Sequence, residues 1–267
     1  MLKQRILTAL VILPLMIGML FWANNTLWAA FCGFMSLLAL WEYARIAGFN
    51  QLQNGAYLLI TACGGLYLYV EHIRLVTWLQ WLILLFWLII VPLWLKFKWK
   101  IKANLLGVMI GWILMIPFWF ALITLRPDSA FAWSLLSVLA LIWIADIAAY
   151  CCGRTMGKHK LAPNISPNKS WEGAIGAIIF VSIYTLILQK QGWLPVNLPL
   201  WETLLLGLIL TTVSIIGDLL ESWLKRTAGV KDSSQLLPGH GGVFDRVDSM
   251  IAVLSVYAAL RWLTALV

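Results

Sequence analysis

The chain has 267 residues, of which 62% are hydrophobic and only 11% charged, with a mean hydropathy of +0.89. An ordinary soluble domain is roughly a quarter charged, and its apolar runs break after roughly 4 to 14 residues, whereas here runs of about 18 or more recur from end to end. A water-soluble globule is excluded, and so are disorder, coiled coil and collagen, each of which needs a polarity, heptad or glycine period that is missing. The net charge of +8 does not imply nucleic acid as a partner, because the basic residues sit in short loops between apolar segments.

In chain order, apolar runs mark nine expected spans: Ile6 to Trp22, Leu27 to Ile46, Gly55 to Val70, Leu75 to Leu95, Leu105 to Leu125, Ala130 to Cys151, Gly173 to Leu188, Leu200 to Leu220 and Ser249 to Leu266. Lys3 and Arg5 ahead of the first run imitate a signal peptide. No small-x-small site lies near Phe21 to Asn24 and another apolar run follows, so a first membrane helix is expected. With nine spans, one side receives Lys3, Arg5, Arg45, the Lys96 to Lys102 cluster, four cations between Arg154 and Lys169, and four between Lys225 and Arg246. That is fifteen of the nineteen, against Arg74, Arg126, Lys190 and Arg261 on the other side. The positive-inside rule then predicts an all-α polytopic integral membrane protein with a cytoplasmic N-terminus and a C-terminus on the opposite side. The seventeen Trp are expected to form interfacial belts, and the four Cys, without zinc spacing, to be small buried hydrophobes.

Residues 1–125 read as a scaffold whose helices carry almost no ionisable groups, and residues 126–267 as the catalytic region, with polar loops at 153–172 and 221–248. A carboxylate at membrane depth costs at least about 2.5 to 3.5 kcal/mol, so Asp146 in the sixth span and Asp218 at the end of the eighth call for a function. Asp218, Glu221, Ser222 and Lys225 fall on one stripe of a continuing helix, with Arg226 beside it. A second acid pair, Asp245 and Asp248, follows the glycine turn Gly239-His240-Gly241-Gly242 at the mouth of the last span. Two acid pairs at two helix ends suit one hard cation with oxygen ligands, although Asp248 is equally suited to capping a helix. The backbone at Gly241 and Gly242 can approach a phosphate. His240, with no Cys or His near it for zinc, is open to a phosphate-binding, base or purely structural role. The first loop, with Arg154, Ser166 and Lys169, is basic and ends on a helix start, which suits an anion.

The run from Ser222 to Arg226, then Lys231-Asp232, then Leu237-Pro-Gly-His-Gly-Gly-Val-Phe-Asp-Arg-Val-Asp248 closely resembles the signature of phosphatidate cytidylyltransferases, also called CDP-diacylglycerol synthases. Asp146 to Tyr150 and Ser166 to Gly173 are similar to that family's second block, with Asn168 as a departure where Lys is more usual. The resemblance spans about Trp143 to Met250. It implies a membrane enzyme that joins CTP and phosphatidic acid into CDP-diacylglycerol and pyrophosphate with Mg²⁺, in a bacterial inner membrane with its site facing the cytoplasm, and it leaves room for a homodimer. By the same resemblance Asp218 and Asp245 are the chief metal ligands, with Glu221, Asp248 and Asp146 as further ligands. Lys225, Arg226, Lys231 and Arg246 bind triphosphate, and Lys169 and Arg154 bind lipid phosphate or nucleotide. Two other classes share some of these features: a CTP-dependent kinase of a membrane alcohol, and an ion-coupled transporter.

Overall fold

The computed structural model of the chain describes residues 2–73, 75–193 and 198–264; Arg74 and the Ala265-Leu266 end of the last expected span lie outside them. The described residues form nine helical rods: α1 (Leu2–Trp22), α2 (Asn25–Ile46), α3 (Gln51–Val70), α4 (Thr77–Leu85) running through a π turn (Phe86–Ile90) into α5 (Val91–Phe97), α6 (Leu105–Leu125), α7 (Ala132–Met156), α8 (Trp171–Lys190), α9 (Leu200–Thr227) and α10 (Phe244–Thr264). Seven rods are long and apolar enough to cross a bilayer on that criterion; α1, counted only over Leu10–Trp22, and α3, which opens on Gln51, Gln53 and Asn54, fall short. One element departs from the all-α expectation, a small antiparallel hairpin of β1 (Lys160–Ala162) and β2 (Ser166–Ser170) between α7 and α8.

The rods start and stop where side chains can satisfy their free backbone groups. Asn24, Asn50, Asn104 and Ser170 accept the N–H of Leu27, Gln53, Gly107 and Gly173 respectively, and at Asn50 the Gln53 side chain bonds back to complete a capping box. The π turn sits just ahead of Pro92, which has no N–H to continue an α ladder. Several helices run further than the apolar runs suggest, and around the polar loops α7 continues to Met156, α9 to Thr227, and α10 begins at Phe244. The two polar loops are therefore shorter, and the Asp218 and Asp245 pairs stand on helices.

Hydrogen bonds between rods define two ends. At one, Tyr43 and Tyr57 donate to the Gly107 and Val108 carbonyls (2.8 and 2.7 Å), Trp223 to Trp99 O (2.6 Å), and Thr8 to Pro238 O (2.9 Å). At the other, Arg126 donates to Leu20 O and Ala23 O (2.8 and 2.6 Å) and Trp28 to Leu122 O (3.0 Å). The first end collects the fifteen basic positions named above. Exposed indoles collect at the second, where Trp22, Trp78, Trp81, Trp133, Trp193 and Trp201 stand at rod ends, against Trp99 and Trp171 at the first. One buried core runs through both halves of the chain, from Leu40 and Tyr43 of α2 through Leu114 and Phe118 of α6 to Leu254 and Val256 of α10.

This arrangement makes orientation measurable. In a background lacking Cys32, Cys63, Cys151 and Cys152, a single cysteine near Lys98 should resist a membrane-impermeant thiol reagent applied outside the cell, and one at Asp128 should label. The reverse pattern would invert the molecule.

Candidate functional site

The polar residues of the basic end converge from α2, α7, the hairpin, α9, the 228–243 loop and α10. Close approach of backbones makes this convergence possible. A Cβ on Gly217 would stand 2.8 Å from the Ala252 Cβ and 2.9 Å from the Asp248 carbonyl, so only glycine lets α9 and α10 touch beside Asp218 and Asp248. On the other flank, a Cβ on Gly173 would meet Ala149 O at 2.7 Å and one on Gly176 the Cys152 sulfur at 2.5 Å, which holds α8 against α7 beneath Asp146. Asp146, Asp218 and Asp248 consequently lie within one another's electrostatic reach, with Lys169 among them and Arg246 beside Asp146. Lys169, at the end of β2, pairs directly with the Asp218 carboxylate, which also accepts from the Ser222 hydroxyl at 3.3 Å. Asp146 is exposed, and the Asp218 side chain keeps 32% of its surface accessible.

A second group lies deeper. The Lys225 ammonium is 2.7 Å from Glu221 Oε2 and 2.6 Å from Asp245 Oδ1, and the side chains of the three are only 12, 2 and 3% exposed. Asp245 Oδ2 also accepts the Gly242 N–H at 2.7 Å and both the N–H and hydroxyl of Ser233 at 2.9 Å. Two expectations change here. Gly242 gives its N–H to Asp245, not outward to a phosphate, and a Cβ there would strike the Ser233 hydroxyl at 2.1 Å and Glu42 at 2.4 Å. Lys225, expected on a triphosphate, is held between two carboxylates.

The residue that sequence reasoning missed is Glu42. It stands in α2 with none of its surface exposed, in the half read as an uncharged scaffold. Its Oε1 accepts from the Ser234 hydroxyl (2.5 Å) and Val243 N–H (3.1 Å), and its Oε2 from the Ser233 hydroxyl (3.0 Å) and Phe244 N–H (2.6 Å). One buried carboxylate thereby ties the middle of the 228–243 loop to its C-terminal end and caps α10 from another helix. The rule that flagged Asp146, an acid inside an apolar span, applies equally to Glu42 and was the available signal.

Of the remaining expected residues, Arg226, Lys231 and Arg246 are exposed, and Arg154 donates to the Tyr150 hydroxyl at 2.7 Å. Ser166 begins β2, opposite Ala162. Gly241 has φ +83°, and its carbonyl accepts from Leu237 N–H at 2.9 Å. His240 donates its own N–H to Leu237 O, while its Nδ1 is buried with no partner among the described residues.

Among the described residues no group of three or more His, Cys, Asp or Glu side chains is arranged to enclose an ion. The donor set nonetheless suits a hard cation. It consists of carboxylates, and those of Asp218, Glu221 and Asp245 already hold the positive ammonium groups of Lys169 and Lys225.

A family model described as the cytidylyltransferase family matches residues 3–264. The phosphatidate cytidylyltransferase of Pseudomonas aeruginosa is 40% identical over 98% of this chain and 97% of its own length. That of Haemophilus influenzae is 35% identical over 97% of this chain and 98% of its own length. The protein of the same name from Brucella suis is 47% identical over a shorter stretch, 49% of this chain and 48% of that one.

Because Glu42 serves two backbone and two hydroxyl donors, Glu42→Gln should leave one backbone N–H facing an amide donor. A loss of about 1 to 3 kcal/mol of stability is expected, and a larger loss for Glu42→Ala. Denaturant unfolding in detergent measures both; a Gln variant as stable as the parent would mean that the carboxylate does not hold the loop.

Proposed function

The chain belongs to the cytidylyltransferase family, and we infer that it is an integral membrane enzyme that transfers the cytidylyl group of CTP to phosphatidate, giving CDP-diacylglycerol and pyrophosphate. The observation that carries this reading is the cluster at the basic end of the rods, where carboxylates of α7, α9 and α10 lie within electrostatic reach of one another and of Lys169. It stands in a chain aligned over nearly its whole length with relatives of that name.

The reaction asks little covalent chemistry of the protein. An ionised phosphate oxygen of phosphatidate attacks the α-phosphorus of CTP, the bond to the bridging α–β oxygen breaks, and pyrophosphate departs with that electron pair; no base is required. What is required is alignment of two polyanions and compensation of their charge. Arg226, Lys231 and Arg246, exposed at the end of α9, in the 228–243 loop and in the first turn of α10, would take the triphosphate. Lys169, one residue before the Ser170 cap of α8, is placed to meet a lipid phosphate arriving from the leaflet. Lys225 acts one step back, keeping Glu221 and Asp245 in register. Asp218 and Asp245, with Glu221, Asp248 and Asp146 as further oxygen donors, would hold Mg²⁺. When bound, that ion supplies positive charge to the triphosphate and the departing pyrophosphate. The fifteen basic positions at the site end support a site facing the cytoplasm, as in a bacterial inner membrane.

With purified protein, phosphatidate and Mg²⁺, label in the α-phosphate of CTP should appear in lipid and label in the γ-phosphate in pyrophosphate. γ-Label in lipid would instead identify a kinase. Asp218→Asn, which preserves shape and removes a charge, should lower the rate by about a hundredfold or more without loss of folded protein, and a near-normal rate would remove Asp218 from the site.

A further inference from the structure

A second polar enclosure lies at the opposite end of the rods from the carboxylates. Here the C-terminal ends of α3, α6 and α10 and the start of α4 surround a cavity of about 610 Å³. Three buried polar atoms on its lining residues have no hydrogen-bond partner among the described residues: Nη1 of Arg126, Oγ of Ser255 and Nε1 of Trp262. Arg126 and Ser255 are each 1% exposed. A guanidinium and an indole N–H can only donate, so what is missing is an acceptor, and the fixed charge of Arg126 favours an anionic one. The other guanidinium donors are already used on Leu20 O and Ala23 O, and its plane lies 5.0 Å over Trp28, so Nη1 is held in place. Asp128 acts on Arg126 only from a distance: the two form no ion pair among the described residues, and its Oδ1 accepts the Ala130 N–H. Arg261 adds a second cation to the lining, while Leu68, Ile83 and Phe120 make much of the wall apolar. A free inorganic ion has no use for such a wall; an acyl chain does.

We propose that this cavity binds a phospholipid of the opposite leaflet, with phosphate oxygens accepting from Arg126 and Trp262, an ester carbonyl accepting from Ser255 about two turns deeper on α10, and an acyl chain along the apolar wall. The site is separate from the carboxylate cluster and does not depend on the reaction assigned to it.

Thermal unfolding of the delipidated protein in detergent tests the proposal with three probes. Dioleoylphosphatidylglycerol should raise the melting temperature saturably, whereas dioleoylglycerol, lacking phosphate, and inorganic phosphate, lacking chains, should not. Trp262→Phe and Ser255→Ala each remove one polar group with little change of volume, and each should raise the lipid concentration at half-effect about tenfold. Either variant gives the result if the other fails to fold. A shift of equal size with inorganic phosphate, weakened by the same variants, would keep the anion site and overturn the lipid as its occupant. Equal responses to the two lipids, or half-effect concentrations unmoved in both variants, would overturn the site.

Discussion

The basic end of the molecule is organised around one carboxylate that touches no substrate. Glu42 is wholly buried, and its cost of desolvation is offset only because each oxygen receives two donors. Through Ser233, whose N–H and hydroxyl also reach Asp245, the position of α2 is passed to α10, and through Lys225 to α9. The signature loop is therefore not a free segment draped over a bundle. Its middle and its C-terminal end are fixed by hydrogen bonds to buried charge, and such bonds are worth more there than at an open surface.

Glycine supplies the complementary constraint. Charges can be gathered from separate helices only if those helices approach more closely than side chains normally allow, and Gly217, Gly173 and Gly176 meet that requirement at the two contacts flanking the cluster. The result is a layered site. Asp146, Asp218, Lys169 and the arginines are accessible, and behind them Glu221 and Asp245 are held by Lys225, and Glu42 by hydroxyl and backbone donors. The accessible layer can meet substrate while the deeper one holds its shape and carries oxygens suited to a cation.

Much of this was legible from the chain. The rods were legible because a helix must be apolar for about twenty residues to cross hydrocarbon, and the stripe from Asp218 to Lys225 was legible because those residues share one helical face. Helix ends were less so. Polar residues at the ends of α7 and α9 and the start of α10 end an apolar run without ending the helix, since backbone bonds are indifferent to hydropathy. The hairpin escaped notice because its strands are short and carry Pro167. Glu42 and Arg126 are harder to read for a different reason: their partners are hydroxyls, backbone N–H groups and carbonyls distant in sequence, and the opposite charges near them in the chain, Arg45 and Asp128, form no ion pair with them among the described residues.

The unequal distribution of indoles has a mechanical consequence. An indole prefers the headgroup level and has a short, stiff attachment, whereas a lysine reaches the same level on a flexible stem that can bend toward water from varying depths. With six exposed Trp at one rim and most of the lysines at the other, the protein has a firm rim and a compliant one. A thicker or thinner bilayer is then accommodated mainly by lysine stems, so the tryptophan rim keeps its depth and the rim that carries the carboxylate cluster is the one that adjusts.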